Sequence, residues 1–402
     1  MEIPCMESEN VGEDYVIRVL DQPSEIDAGA WNALLARQPG GAGGPFMRHD
    51  YLAALDESGC AVAATGWGLQ WLTLWRQDQL QAAAPLYLKS HSRGEYVFDW
   101  AWAEAYERHG LAYYPKGLVA VPFTPVPGPR LLALDARARA ALLQALIAHC
   151  EQLGLSSLHL LFAAEQDIAA CREAGLLLRQ TVQFHWQNPP GTGYADFDDF
   201  LATLKQDKRK KIRQERRKVA DAGVTFDWKR GSDIQTEDWD FFYRCYERTY
   251  LEHGNRPYLS RNFFARLQQA QPGLWLLFIA RNAAGERIAA SLLALSDDSD
   301  RPEAAYGRYW GALERVDCLH FEACYYQPLD WCIAQGVQRF EGGAQGEHKM
   351  ARALLPVTTW SAHWLAHPAF SDAVERYLEQ EGEHIGAYLE QLESRSPLKS
   401  DA

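Results

Sequence analysis

No Cys-x-x-Cys pair occurs among the eight cysteines of this 402-residue chain. Cys5, Cys60, Cys150, Cys171, Cys245, Cys318, Cys324 and Cys332 are scattered, most of them in apolar helical contexts. That pattern excludes a zinc ribbon or a disulfide framework and fits buried, reduced thiols. No apolar run reaches the eighteen or so residues needed to cross a bilayer, and the acidic start has no signal-like pattern. The expectation is a soluble, cytoplasmic protein. No serine sits in a Gly-x-Ser-x-Gly context, and Glu347-His348 lacks the second histidine that a zincin helix requires. Metal-ligand spacing is absent altogether, so no metal is expected. Positive charge is also scarce: 40 Lys and Arg face 53 Asp and Glu, a net charge of −13. This excludes a nucleic-acid binder that uses its whole surface, and DNA as a partner.

What the chain does carry is length and aromatic weight. With 47% hydrophobic and 23% charged residues it reads as globular, in two domains of roughly 150 to 200 residues each. Fourteen Trp and eighteen Tyr concentrate partly in two dense blocks, Leu86–Arg130 and Tyr306–Arg352. Aromatics with a polar handle suit the wall of a groove as well as a core. Two such blocks suggest two halves facing one cleft.

Periodicity yields one order of elements twice. After a polar start over 1–13, YVIRVL alternates as a strand. Helical patterns near Asp27–Ala36 and Met47–Glu57 are split by the irregular loop Pro39–Pro45. LQWLTLWRQ and LQAAAPLYLK read as strands, and 91–129 as an aromatic, proline-rich insertion with a short helix over Trp100–His109. Asp135 caps a long helix, and the strands SSLHLLF and LLLRQTVQFHWQ follow. The second half offers VTFDWKR, two helices, the hairpin LWLLFIAR/RIAASLLALS, the strand EAAYGRYWG and a helix over Phe321–Gln335. The short strand VQRFEGG, the strand VTTWSAHWLA and a terminal helix over Ala373–Leu392 complete it. Recurrence at a spacing of about 180 residues is a topological repeat. The expected architecture is α/β, with domains over 14–187 (insertion 91–129) and 188–402, each a mixed sheet flanked by helices.

That order resembles the GNAT acyltransferase superfamily, and a tandem pair with an acidic terminal helix resembles the Fem-type aminoacyltransferases. The segments HSRGEYVFDWAWAEAYERHGLAYYPK, VPFTPVPGPRLL, LHFEACYYQPLDWCI and EGGAQGEHKMAR look like signatures of the FemAB-like family, labelled peptidoglycan biosynthesis or recognition. The resemblance spans about Pro45 to Glu379. It implies tandem GNAT-like domains and transfer of an acyl or aminoacyl group to a primary amine, on a cell-wall precursor or a peptide. Two positions depart from it: Ala353-Leu354 stands where Gly-Phe is usual, and Gly117 follows Lys116 where an apolar residue is usual.

Three groups of residues are candidates for the chemistry. The glycine-rich turn offers Glu341, Glu347 and His348 as base, with Lys349, Arg352 and backbone amides as anion or oxyanion donors. The same residues also suit a structural loop. Nearby, Arg308, His320 and Glu322 are candidate substrate contacts, although an acid at a helix start needs no catalytic role. In the first block, His91, Glu95, Tyr96, Asp99, Trp100, Tyr113, Tyr114 and Lys116 either line a substrate groove or pack an insertion. Asp99 is the candidate ammonium anchor. The third group is the run KQDKRKKIRQERRK, nine basic residues against Asp207 and Glu215. It is read as one helix with Phe200, Leu201, Leu204, Ile212 and Val219 on its apolar side. Lys208, Lys210, Lys211, Arg213 and Arg217 are its candidate anion contacts, for tRNA or another phosphate-bearing donor, unless it is a solvated face.

The GNAT pattern for coenzyme A needs glycines before the central helix, and ALERVDCLHFEA has none between Leu313 and Ala323. The prolines of VPFTPVPGPR make it an equally poor diphosphate cradle. Aminoacyl-tRNA is therefore the preferred donor over acyl-CoA, with no tightly held cofactor. A non-catalytic peptidoglycan- or peptide-binding protein, or an ordinary acyl-CoA N-acyltransferase, remains the alternative at this point.

Overall fold

The computed structural model describes residues 10–11, 15–39, 44–191, 193–343 and 346–399. The polar start with Cys5, most of the glycine loop after Pro39, and Gln345 lie outside the described residues. The strands are β1 Asn10–Val11, β2 Tyr15–Leu20, β3 Trp67–Arg76, β4 Gln79–Lys89, β5 Lys116–Val119, β6 Leu132–Ala133, β7 Ser157–Leu160, β8 Leu177–Gln187, β9 Thr225–Arg230, β10 Trp275–Arg281, β11 Arg287–Leu295, β12 Ala304–Ala312, β13 Arg339–Glu341 and β14 Leu355–Leu365. The helices are α1 Ala28–Ala36, α2 His49–Glu57, α3 Trp100–Arg108, α4 Ala136–Gln152, α5 Glu165–Glu173, α6 Phe197–Thr203, α7 Gln206–Asp221, α8 Thr236–Glu252, α9 Arg261–Ala270, α10 Leu319–Phe321, α11 Gln327–Gln335 and α12 Pro368–Ser394.

Two compact units result. The first comprises Phe46–Thr181 and Thr358–Gly386 with the described amino-terminal residues; the second comprises Val182–Val357 and the chain from Ala387. In the first, strands run in the order β1-β2-β3-β4-β5-β7-β14, with β6 beside β4. The β5–β7 pair is parallel and its neighbours are antiparallel. Gln77 and Asp78, both at positive φ, make the tight β3–β4 turn, the geometry that a two-residue hairpin loop requires. Asp135 accepts from the Ala138 N–H and starts α4. That helix buries Leu142, Leu143 and Leu146 against Leu72, Leu86, Leu158 and Leu160. Each such side chain contributes about 1.5–3 kcal/mol by leaving water.

In the second unit the order is β8-β13-β12-β11-β10-β9. Here the parallel pair is β12–β13, and β13 lies antiparallel to the β8 residues from His185 to Gln187. Leu329, Cys332 and Ile333 of α11 pack with Phe278, Leu293 and Phe340. Trp239, Phe242 and Tyr246 of α8, Phe264 of α9 and Tyr309 of β12 form an aromatic cluster. Gly311 is required where α8 crosses β12, because a Cβ there would lie 1.8 Å from the Cys245 carbonyl oxygen.

Three local readings change. The segment 91–129 is more than an insertion: Lys116–Val119 is a central strand, hidden by the prolines and aromatics around it. The basic run does not share one helix with Phe200 and Leu201. The chain breaks at Leu204–Lys205, where the Lys205 N–H donates to the Pro397 carbonyl and the Lys399 N–H to that of Thr203, both at 2.9 Å. The helix over Phe321–Gln335 contains a π-turn, Glu322–Tyr326. Both departures from expectation at single residues also have causes. A Cβ at Gly117 would lie 2.8 Å from the Cys150 sulfur, which fills the space an apolar side chain would take. Ala353 sits at φ +60°, where an L-residue costs about 1–2 kcal/mol and glycine nothing. Ala353→Gly should therefore raise stability by about 0.5 kcal/mol after the unfolded-state entropy is charged against it; a lower thermal midpoint would contradict this.

Candidate active site

The first unit brings Glu95, Asp99, Tyr113, Tyr114 and Lys116 together. Lys116, at the start of β5, is completely buried. Its ammonium donates to Ser92 Oγ (2.7 Å), Glu95 Oε2 (2.8 Å) and Asp99 Oδ2. The Tyr113 hydroxyl also donates to Asp99 Oδ2 (2.6 Å) and lies 3.2 Å from His159 Nε2. His159 Nε2 meets Ser157 Oγ at 2.8 Å, and its Nδ1 meets His363 Nδ1 at 2.7 Å. Lys89 lies over the Trp67 ring and 3.8 Å from Glu95 Oε1.

Burial governs the charges here. It works to raise the Asp99 carboxyl, but Lys116 overrides it and holds Asp99 at about 2. Glu95, with one oxygen lacking a hydrogen bond, is pushed up to about 7 by burial. Burial lowers Lys89 to about 7 and His159 to about 3, so both imidazoles of the histidine pair are neutral. Most of these groups are spent on one another, while Glu95 Oε1, Asp99 Oδ1 and His363 Nε2 have no hydrogen-bond partner among the described residues. Around them, His91 bonds the Thr65 carbonyl (3.1 Å), Tyr96 occupies a left-handed turn, and Trp100 is 49% exposed at the start of α3.

The second unit holds the glycine-rich turn, which is a 3₁₀ helix over Glu347–Arg352 after β13. Glu341 closes β13, buried, with Arg339 Nε at 3.0 Å and His185 Nε2 at 3.8 Å. Its Oε2 has no hydrogen-bond partner among the described residues. Burial raises this carboxyl to about 7 against the pull of Arg339, and lowers His185 to about 3. Lys349 is buried and donates to the Gly343 carbonyl (2.9 Å); burial brings its ammonium down to about 8. Glu347, by contrast, is exposed and paired with Arg395 at 3.1 Å. His348 Nε2 lies 3.3 Å from the Tyr325 hydroxyl. Arg352 is buried, donates to Glu215 Oε2 and to the His348 carbonyl, both at 2.8 Å, and stacks 3.7 Å over Phe321. His320 lies exposed against the rings of Trp310 and Tyr325, and Arg308 stacks on Tyr309.

Beside this turn runs the basic helix α7, which buries Ile212, Glu215 and Val219. Arg213 pairs with Asp198 (3.0 Å), and Arg216 with Glu322 (3.1 Å) and Asp330 (3.3 Å). Lys208 pairs with its neighbour Asp207. Lys210, Lys211 and Arg217 are exposed and have no acidic partner among the described residues. A groove of about 840 Å³ is lined by Arg213, Arg216 and Arg217, by Phe197, Leu201 and Phe226, and by the acids Asp196, Asp198, Glu322 and Asp330. No group of three or more potential metal ligands occurs among the described residues. No helix among them is long and apolar enough to cross a membrane.

Sequence reasoning missed His185, Lys89, Ser157, His159, His363 and the role of Glu215. The signal for the histidines was present. Ser157 and His159 share one face of β7, as two-residue spacing requires, and a polar face on a fully buried strand needs partners. Nothing local pointed to the partner of His159, which lies 204 residues away.

The model of the FemAB-like family, described as peptidoglycan biosynthesis/recognition, matches residues 22–400. Among curated proteins none matches. Solved structures similar in fold include FemX, at 10% identity and TM-score 0.53, covering 87% of this chain and 98% of that one. L-PGS from Bacillus licheniformis aligns at 12% identity and TM-score 0.52, over 92% of this chain and 99% of its own. The C-terminal domain of a putative lysylphosphatidylglycerol synthetase from Agrobacterium fabrum gives 11%, 0.52, 89% and 97%. The architecture is thus an α/β fold with mixed sheets flanked by helices, similar to that of FemX, as the element order led us to expect. With its model matched over nearly the whole length, the chain belongs to the FemAB-like family.

Proposed function

We propose that this protein is a transferase that forms an amide on a primary amine, by direct attack of the amine on an activated acyl or aminoacyl ester. The observation that carries this reading is Glu341: a buried carboxyl raised to about 7, with one oxygen that has no hydrogen-bond partner among the described residues, at the end of a sheet strand. An ammonium must lose one proton before it attacks and a second as the bond forms, and a base whose pKa matches the working pH takes that second proton best. In this reading the ammonium gives its first proton to water before attack; Glu341 takes the second as the C–N bond forms and passes it to the leaving oxygen as the ester C–O bond breaks, so that the alcohol departs and the carboxylate is restored. Lys349, with one carbonyl partner, donates to the developing oxyanion. His348 and Tyr325 border the acceptor. No covalent enzyme intermediate is required.

The family description favours a cell-wall precursor or a peptide as acceptor. For the donor, α7 supports a polyanion such as aminoacyl-tRNA, which the Fem-type resemblance implies. Coenzyme A is less favoured, since the turn before α10 has no glycine and places Cys318 in a left-handed conformation. Lys210→Glu with Arg213→Glu should weaken binding of a tRNA acceptor stem and reduce the slope of log K against log salt by about 1.5–2. Unchanged affinity and slope would remove the helix from donor binding. The test of the whole reading is transfer: purified protein, a muropeptide amine, and either aminoacyl-tRNA or acyl-CoA. Stabilisation by the muropeptide with no turnover from either donor would make the protein a binder instead.

A further inference from the structure

Glu215 is the acid that the basic helix buries. It is 7% exposed, and one of its oxygens accepts from Arg352 Nη2 at 2.8 Å and from the Tyr326 hydroxyl. Arg352, 2% exposed, passes the contact on: its Nη1 donates to the His348 carbonyl at 2.8 Å, and its guanidinium stacks on Phe321. The next residue of the helix, Arg216, binds the other end of the same π-turn through Glu322 Oε1 at 3.1 Å. Two consecutive residues of α7 therefore fasten the 347–352 turn and the π-turn to the helix.

The turn needs such a fastening. It follows Gly342, Gly343 and Gly346, the last at φ +115°, and glycines do not fix a backbone by themselves. Glu347 contributes an exposed ion pair of little weight, and the Lys349 ammonium anchors to the Gly343 carbonyl, within the same loop. The Arg352–Glu215 pair is the buried ion pair that ties the turn to α7, and a charge-assisted bond out of water is worth more than a surface one.

We infer that Glu215 is a positioning residue: through Arg352 it sets the turn that carries His348 and Lys349, and so joins that turn to the helix facing the groove. The inference rests on the reading of this turn as part of a transfer site, but its test does not. In Glu215→Gln the acceptor shape stays and the charge goes. Hydrogen exchange of amides 347–354 should then rise by about tenfold or more, while exchange in β10–β12 holds. In the double variant Glu215→Gln/Arg352→Met neither partner is left as an unpaired charge, so the thermal midpoint should return towards that of the parent protein. The turn should nevertheless stay fast-exchanging. A merely structural role predicts that both recover together.

Protection of 347–354 unchanged in both variants would overturn the proposal. So would a uniform rise across the second unit. If Glu215→Gln does not fold, the double variant decides. Where transfer is measurable, Glu215→Gln should lower kcat by about tenfold with the acceptor KM unchanged. An unmodified protein with no transfer would sink the proposed function and leave the exchange result standing.

Discussion

Lys116→Met is expected to destabilise the first unit by about 3–5 kcal/mol, the range for removing one partner from a buried ion pair. The reason is what stays behind. Lys116 makes three of the bonds that hold Ser92, Glu95 and Asp99, and without it the Asp99 carboxylate and the Glu95 carboxyl, already raised to about 7 by burial, are left in the interior. Lys89 is 3.8 Å from one oxygen of Glu95 and stacks on Trp67, so it compensates only part of the loss. Methionine fills the volume, which leaves charge rather than a cavity as the cause. Denaturation followed by tryptophan fluorescence should show an early transition, since whole domains are stable by only about 5–15 kcal/mol. Adding Glu95→Gln and Asp99→Asn removes the stranded charges and should restore much of the loss. A single variant within about 1 kcal/mol of the parent would mean that water already screens this centre.

The same cluster shows why sequence reading reached the architecture sooner than the site. A helix with a carboxylate at its start was legible: Asp135 opens α4 by accepting from the Ala138 N–H. The strands β2, β3, β4, β10 and β11 were likewise read from the sequence, β2 by its alternation. What stayed hidden depends on distant partners. Lys116 and Asp99 were visible as candidates, yet their mutual ion pair reads identically to an open substrate groove until the fold closes over it. Glu215 looked like one of two counter-charges in a basic run, because its partner Arg352 is 137 residues away. The break at Leu204 contains neither glycine nor proline; the carboxy-terminal segment makes it by taking backbone bonds at Thr203 and Lys205. Ala353 is a case in which the sequence held the clue. A missing glycine there marks a strained left-handed residue, visible only once the turn is drawn.

Glu341→Gln is expected to separate activity from stability in opposite directions. If Glu341 is the base, its amide cannot accept the proton, and transfer should fall by about 10²–10⁴-fold. The acid limb of kcat/KM, expected near pH 7 from the raised carboxyl, should vanish with it. Stability should move the other way. A carboxyl whose folded pKa is raised adds stability that is complete below its ordinary value of 4.5 and is lost as pH rises through about 7. At pH 8 the parent protein therefore carries a buried charge that Gln does not, and the variant should be more stable by about 1–2 kcal/mol. The gain is capped because Arg339 loses its counter-ion, although that side chain is 36% exposed and rehydrates. At pH 4 the two proteins should melt alike. The coincidence of a dead enzyme and a tighter fold above pH 7 is the mark of a carboxylate kept in place for chemistry at the expense of stability. A variant that transfers at the parent rate would end the assignment. A variant that is inactive but less stable at pH 8 would make Glu341 a structural ion pair with Arg339.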